Sequence, residues 1–211
     1  MTASESRQYW ETRHARAGAL ASGGHISHDE STNAMFYAVR IARLIEAIGP
    51  RTNPGLPLRI LDAGCGKGHF SRALASFGHL VDGIDTSVTA IASCEAQASE
   101  RETYAVSSLS QWGPPYLYDA AVSIDVLYHL MDDDEWATAV RNLASLVRLG
   151  GILGLVDHDR DEDRVWQSHQ KTRSTRRYRE LFEACGFEAR RYVRNDFKHD
   201  PSGMHIAVRV A

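Results

Sequence analysis

The sequence predicts an α/β fold, an open doubly wound sheet, mostly parallel, with helices on both faces. Three observations carry that expectation. From residue 58 onward, short apolar runs alternate with helical patterns, the arrangement of βαβ units. The run Leu58-Arg59-Ile60-Leu61-Asp62 ends in an acid, and Gly64, Gly66 and Gly68 follow before a helical pattern starts near His69. That is a strand, a tight turn and a helix start, the place where an open α/β sheet binds its ligand. A second acid, Asp85, ends the next apolar run, Leu80-Val81-Asp82-Gly83-Ile84, 23 residues after Asp62.

The elements follow in order. Residues 5–17 are polar with Tyr9 and Trp10 embedded and suit a short helix, whereas residues 18–32, rich in Gly, Ser and His, read as a loop. Asn33 is placed to cap a helix running to about Ile48, with Phe36, Val39, Ile41, Leu44, Ile45 and Ile48 apolar. Gly49-Pro50 stops it. The proline-bearing stretch 50–57 links it to the sheet, dividing the chain into an N-terminal extension, 1–50, and a sheet domain, 51–211. Strands are expected near 58–62, 79–84, 103–106, 118–124, 151–157, 187–194 and 204–210, and helices near 69–77, 87–98, 133–147 and 174–185. Gly150-Gly151 and Cys185-Gly186-Phe187 mark helix-to-strand turns. Only a loop, about 195–203, separates the last two strands. That suits an antiparallel pair, because a parallel crossover needs about a dozen residues or more.

Composition narrows the function classes. A chain of 211 residues suits one domain with a short extension, and a hydrophobic content of 43% supports a sizeable core. The formal net charge of −3 gives no broad electrostatic case for nucleic acid. Cys65, Cys94 and Cys185 are odd in number and far apart, which points to a reducing compartment, and none has zinc-site spacing. No apolar run reaches the roughly 18 residues of a membrane span, and Met1 to Trp10 lacks a signal-peptide core. The expected setting is the cytoplasm, away from any membrane.

Glycine spacing separates the ligands. A dinucleotide fingerprint G-x-G-x-x-G begun at Gly64 requires glycine at position 69, where His69 stands; this disfavours a nucleotide-dependent oxidoreductase. The pattern D-x-G-x-G-x-G from Asp62, followed by Asp85, resembles the class I methyltransferases that use S-adenosylmethionine. The resemblance covers residues 58–157 best. It implies a single Rossmann-like domain with seven strands in the order 3-2-1-4-5-7-6, the last antiparallel, together with an N-terminal helical lid. It also implies S-adenosylmethionine as the cofactor.

On that resemblance, Gly64, Gly66 and Gly68 let the main chain approach the methionine moiety, and the helix start near His69 offers N–H groups. Asp62 fixes the loop or meets the ammonium, and Asp85 accepts the ribose hydroxyls; the alternative for both acids is to cap neighbouring turns. Thr86 and Ser87 either serve the cofactor or cap the next helix. Adenine is expected after the third strand, where many relatives carry an acid and this chain has Ser107-Ser108-Leu109. Ser108 or a main-chain carbonyl then takes the acid's place, Leu109 packs on the ring, and Trp112 either covers it or belongs to the core packing. Ile124 and Asp125 are expected at the junction of cofactor and acceptor. Arg40 is the expected partner of the methionine carboxylate, unless it is a solvated helix arginine. Asp132, Asp133 and Asp134 suit a helix N-terminus, and no metal site is expected.

Methyl transfer from a sulfonium is an in-line displacement. Holding the acceptor against the methyl group supplies roughly 7–11 kcal/mol, and a base adds about 10²–10⁴-fold where the acceptor loses a proton. His158, after the fifth strand, is the expected base, oriented by Asp157 or Asp159; a solvated charged loop from Asp159 to Arg164 is the alternative. Asp125 and His129 are further catalytic candidates. His169 and Arg173, four apart, would share a face on a helix and then suit an anionic substrate group. Tyr9 and Trp10, with Arg13, His25, His28 and Tyr37, reach the ligands from the lid. The expected function is transfer of a methyl group to an oxygen or nitrogen of a small metabolite. RNA or protein methylation, suggested by the basic run Lys171 to Arg179, and a non-catalytic cofactor-binding subunit stand as alternatives. A homodimer is left open.

Overall fold

The computed structural model describes residues 3–25, 27–48, 56–167, 169–198, 200 and 202–211. Three helices come first: α1 (Ala3–Arg16), α2 (Ala19–Gly23) and α3 (Glu30–Ile48). The sheet then starts with β1 (Arg59–Ala63), α4 (His69–Ser76), β2 (Leu80–Asp85), α5 (Val88–Glu95), β3 (Glu102–Val106) and β4 (Tyr118–Ser123). A 3₁₀ turn at Leu127–His129 leads to α6 (Asp133–Ser145) and β5 (Val147–His158). The chain ends with β6 (Arg164–Gln167), β7 (Gln170–Thr172), α7 (Thr175–Ala184), β8 (Phe187–Arg194) and β9 (Ser202–Arg209).

Seven of these strands form one sheet in the order β3-β2-β1-β4-β5-β9-β8, and β6 and β7 form a separate two-stranded ribbon. Counted within the main sheet, the order is 3-2-1-4-5-7-6. β9 runs antiparallel to both β5 and β8, the other pairings of this sheet are parallel, and the ribbon is antiparallel. The fold expected from the resemblance is therefore the fold observed.

Alternation along β1 splits the core. Ile60 packs with Tyr37, Leu44, Ile48, Phe70, Leu74 and Val122 on one face. Its neighbour Leu61 packs with Trp136, Val140, Leu143, Tyr178 and Phe182 on the other, as the two-residue period of a strand requires. α3 and α4 thus cover one face, and α6 and α7 the other. The register of β1 on β2 sets Ala63 against Ile84. It brings the ends of both strands together, and the Gly64 and Cys65 N–H groups both donate to the Ile84 carbonyl at 2.7 and 2.9 Å.

Several expectations are corrected here. α3 begins at Glu30, and Asp29, not Asn33, caps it by accepting the Thr32 N–H at 2.7 Å. Asn33 is buried; its amide oxygen accepts the His25 N–H at 2.9 Å and its NH₂ donates to the His28 carbonyl at 3.2 Å. The expected loop 18–32 contains α2. β5 starts at Val147, four residues early, with Gly150 at φ +76° inside it and a register shift between Tyr118 and Ala120. Residues 169–173 form no helix; His169 is in the turn of the ribbon and Gln170–Thr172 are its second strand, where Val165, Trp166 and Thr172 suit extended backbone. Ser174 caps α7 by accepting the Arg177 N–H, and Asp132 caps α6 by accepting the Asp134 and Glu135 N–H groups at 3.0 and 2.8 Å. The stop at Gly49-Pro50 and the boundary between residues 50 and 51 lie outside the described residues.

Candidate active site

One cavity opens at the carboxyl ends of β1, β2 and β4. Its wall includes the turn Gly64–Lys67, Asp85 and Thr86, Ser108 to Ser110, Ile124 to Val126 and His129 to Met131, and from the N-terminal helices Trp10, His14 and Tyr37. Gly64 has φ +83° and Gly66 φ +52°, a region that favours glycine. A Cβ at Gly64 would stand 2.3 Å from Val126 Cγ2, so the turn packs directly on the loop after β4. The Asp85 carboxylate braces this turn. One oxygen accepts the Gly66 N–H at 2.9 Å and the other accepts the Ser87 N–H at 2.9 Å. Ser87 is the N-cap of α5, accepting the Ala90 N–H at 3.1 Å, which leaves Thr86 on the cavity wall.

Asp62 and Gly68 stand behind that wall. Asp62 is 1% exposed and accepts the Ser71 hydroxyl at 2.6 Å; burial raises its carboxyl pKa to about 6. Its contacts fasten α4 beneath the turn, and it does not border the cavity. Gly68, at φ +73°, has room for no Cβ because the Cys94 Sγ would lie 2.9 Å away.

Asp125 follows β4 at φ +62°, uncommon for a residue other than glycine. It is ion-paired with Arg40, whose other Nη reaches Ser202 Oγ at 2.9 Å and Asp200 at 3.4 Å. Arg40 is buried and its guanidinium lies 4.0 Å over the Phe36 ring. It does not border the cavity, so the expected direct contact with a ligand carboxylate is replaced by support of Asp125. Asp125 Oδ1 and His14 Nδ1 are buried without a hydrogen-bond partner among the described residues. A buried polar atom left unpaired costs about 1–3 kcal/mol, so both mark places where a polar ligand would bond.

The first helix roofs the cavity. Trp10 meets His129 edge-on, with ring centroids 4.9 Å apart. His14, missed by sequence reasoning, lies over the glycine turn, its Cε1 3.4 Å from where a Gly66 Cβ would stand; burial lowers its pKa. The available signal was its four-residue spacing from Trp10, which sets both on one helix face. Lys67 Nζ donates to the Ala17 carbonyl at 2.8 Å, and Glu11 accepts the Thr89 N–H at 3.1 Å at the start of α5. Tyr9 does not border this cavity and packs on His169 at 6.0 Å. Arg13 donates to the Gly24 carbonyl at 2.8 Å. His25 and His28 pack on one another, away from the cavity wall.

The two expected histidines differ. His129 is on the cavity wall, and its Nδ1 lies 3.0 Å from the His169 carbonyl. A carbonyl only accepts, so Nδ1 carries the proton and Nε2 keeps its lone pair. Burial lowers the His129 pKa to about 4, so the ring is neutral near pH 7. His158 is not on that wall. Its Nδ1 pairs with Thr172 Oγ1 at 2.9 Å, and its ring stacks on Tyr128 and meets Trp166 edge-on. Neither expected carboxylate orients the ring. Asp157 accepts the His158 backbone N–H and the Tyr178 hydroxyl, both at 2.8 Å, and Asp159 accepts the Thr175 hydroxyl at 2.6 Å.

Arg173 is wholly buried. Its guanidinium donates to Asp133 and to the carbonyls of Leu127, Met131, Asp132 and Lys171. It ties the ribbon to the start of α6 and has no place on the cavity wall. Because residues 170–172 are a strand, Arg173 and His169 do not share a helix face. Among the described residues, no group of three or more His, Cys, Asp or Glu side chains is arranged to hold a metal ion.

A family model described as a methyltransferase domain matches residues 33–192. The ubiquinone biosynthesis O-methyltransferase of Rickettsia canadensis is 29% identical over 117 residues, 54% of this chain and 48% of that protein. Nodulation protein S of Sinorhizobium fredii is 32% identical over 114 residues, 53% and 50%. The chain thus spans about half the length of the curated relatives it matches. The crystal structure of magnesium protoporphyrin IX methyltransferase from Synechocystis with bound S-adenosylmethionine superposes with a TM-score of 0.76 at 22% identity, covering 98% of this chain and 96% of that one. The 1,6-didemethyltoxoflavin-N1-methyltransferase of Burkholderia thailandensis, with bound 1,6-didemethyltoxoflavin and S-adenosylhomocysteine, gives 0.72 at 19% identity, covering 100% and 92%. At these identities, the two structures establish the shared fold.

Proposed function

Because the chain belongs to the methyltransferase-domain family, we propose that it transfers the methyl group of S-adenosylmethionine to an oxygen or nitrogen of a small metabolite. The observation that carries the reading is one continuous cavity bordered by the glycine turn, Asp85, Asp125 and His129 under the roof of Trp10 and His14. The names of the relatives include O- and N1-methyltransferases, which supports both acceptor atoms.

The residues fit such a cofactor. The carboxylate of Asp85 has lone pairs beyond the two it gives to backbone N–H groups, and these accept a ribose diol. Gly64 and Gly66 leave the turn bare for close approach. Asp125 Oδ1 accepts from an ammonium, held in place by Arg40. Ser108 and Leu109 border the purine end. When bound, the cofactor supplies an electrophilic methyl group on a sulfonium. The chain positions the acceptor against it and excludes water with Trp10 and Leu130. The Nε2 lone pair of the neutral His129 ring accepts the proton of an acceptor hydroxyl as the methyl group arrives, and an acceptor amine reacts in its neutral form. Of the extension over residues 1–50, α1 and α2 form the lid, and α3 belongs to the packing of the sheet domain, 51–211. The proposed setting is the cytoplasm, where the three free thiols stay reduced. Among the described residues, no helix is long and apolar enough to cross a membrane.

A labelled-cofactor screen tests the proposal. Label should appear on a member of a panel of phenols, amines and carboxylic acids. Transfer to tRNA, rRNA or protein alone, or binding of the cofactor without any transfer, overturns it.

A further inference from the structure

We infer that the carboxylate of Glu135 receives the exocyclic amino group of the purine and so makes this site select adenosyl over 6-oxo cofactors; the inference rests on the cofactor proposed above. The third strand ends in Ser107-Ser108-Leu109, with no acid to meet an amino group. The cavity supplies one from a different element. Glu135, on the first turn of α6, borders it together with Ala139, Leu109 and Leu130. Glu135, Ala139 and Asn142 fall at i, i+4 and i+7, one face of the helix. Asn142 fixes that face to the loop after β3, donating to the carbonyls of Leu109 at 2.8 Å and Trp112 at 2.9 Å. Apolar walls from Leu109 and Ala139 with a carboxylate at the rim suit a flat base bearing a donor.

The charges around Glu135 separate it from its acidic neighbours. Lys171, Arg173 and Arg177 all pair with Asp133, and Asp132 is consumed as the helix cap. Among the described residues, the Glu135 carboxylate has no ion pair or hydrogen bond. A second, independent sign of a polar ligand in the same cavity is His14, 3% exposed with its Nδ1 unpartnered. A carboxylate accepts from an amino group and repels a carbonyl oxygen, so the pairing carries base selectivity as well as affinity.

Calorimetric titration with S-adenosylhomocysteine and with S-inosylhomocysteine tests this. Wild type should prefer the adenosyl ligand by about tenfold or more, and Glu135→Gln, whose amide also donates to a 6-oxo group, should bring the ratio near one. Glu135→Ala, lacking any acceptor, should lose the preference too. An unchanged ratio in both variants, or no preference in wild type, overturns the inference while leaving the cofactor assignment intact. Wild type that binds neither ligand overturns the cofactor assignment itself.

Discussion

The Asp85 carboxylate accepts the Gly66 N–H at 2.9 Å, joining the acid after the second strand to the turn after the first. The two residues are legible separately in the sequence, and the structure makes them one unit. Asp85 therefore shapes the glycine turn as well as bordering the cavity. Asp85→Ala should weaken S-adenosylhomocysteine binding by more than about tenfold, some 1.4 kcal/mol. Asp85→Asn keeps one oxygen acceptor and should lose less. Equal calorimetric affinities for wild type and Asp85→Ala would remove Asp85 from the cofactor site.

His129 should matter more to turnover than His158. At saturating cofactor, His129→Ala should lower kcat by about 10²-fold or more if its Nε2 takes the acceptor proton. His158→Ala should cost less, because its ring is spent on Thr172, Tyr128 and Trp166. Steady-state rates with the identified acceptor decide it, and the opposite order would move the acceptor from the His129 wall to the rings of His158, Tyr128 and Trp166.

Burial of His129 also predicts a pH effect on stability. The unfolded histidine takes a proton near 6.5 and the folded one only near 4. Between those values the unfolded state holds more protons, so the contribution is full above about pH 6.5 and is lost as pH falls through about 4. The loss approaches about 3 kcal/mol. Asp62 and Asp157, with carboxyl groups raised to about 6, act in the opposite direction over the same range. The readout is therefore the difference between wild type and His129→Phe in urea melts. The stability of the variant relative to wild type should improve from about pH 7.5 to about pH 4; a constant difference contradicts the buried, neutral ring.

Arg173→Ala separates a structural arginine from a substrate-binding one. Its removal leaves Asp133 and four main-chain carbonyls short of a buried donor and should destabilise the fold by about 3 kcal/mol or more. Denaturant unfolding measures this. Unchanged stability with a raised KM would return Arg173 to the acceptor site.

Local patterns were legible in the sequence, and contacts made at a distance were not. The glycine turn, Asp85 and the sheet strands announce themselves through apolar runs and breakers a few residues long. Strand order needed a family resemblance, because periodicity does not say which strands are neighbours. The ribbon was misread: its strands are only four and three residues long, too short for alternation to stand against a charged, helix-like spacing. The fate of Arg173 was hidden because its carboxylate partner, Asp133, lies 40 residues away in sequence. Arg40 was expected to meet the ligand itself; its ion pair with Asp125 spans 85 residues, and no local signal shows that it serves another side chain. Trp10 and His14 reach the cavity only because α1 lies across the strand ends, fastened by Lys67 and Glu11.

The proposed function depends on which ligand the glycine turn, Asp85 and the α1 roof hold. Isothermal titration of the wild-type chain with S-adenosylhomocysteine, with NADH run in parallel, measures it most directly. Saturable single-site binding of the thioether and no binding of NADH are expected. No heat with S-adenosylhomocysteine, or saturable binding of NADH in its place, would contradict it.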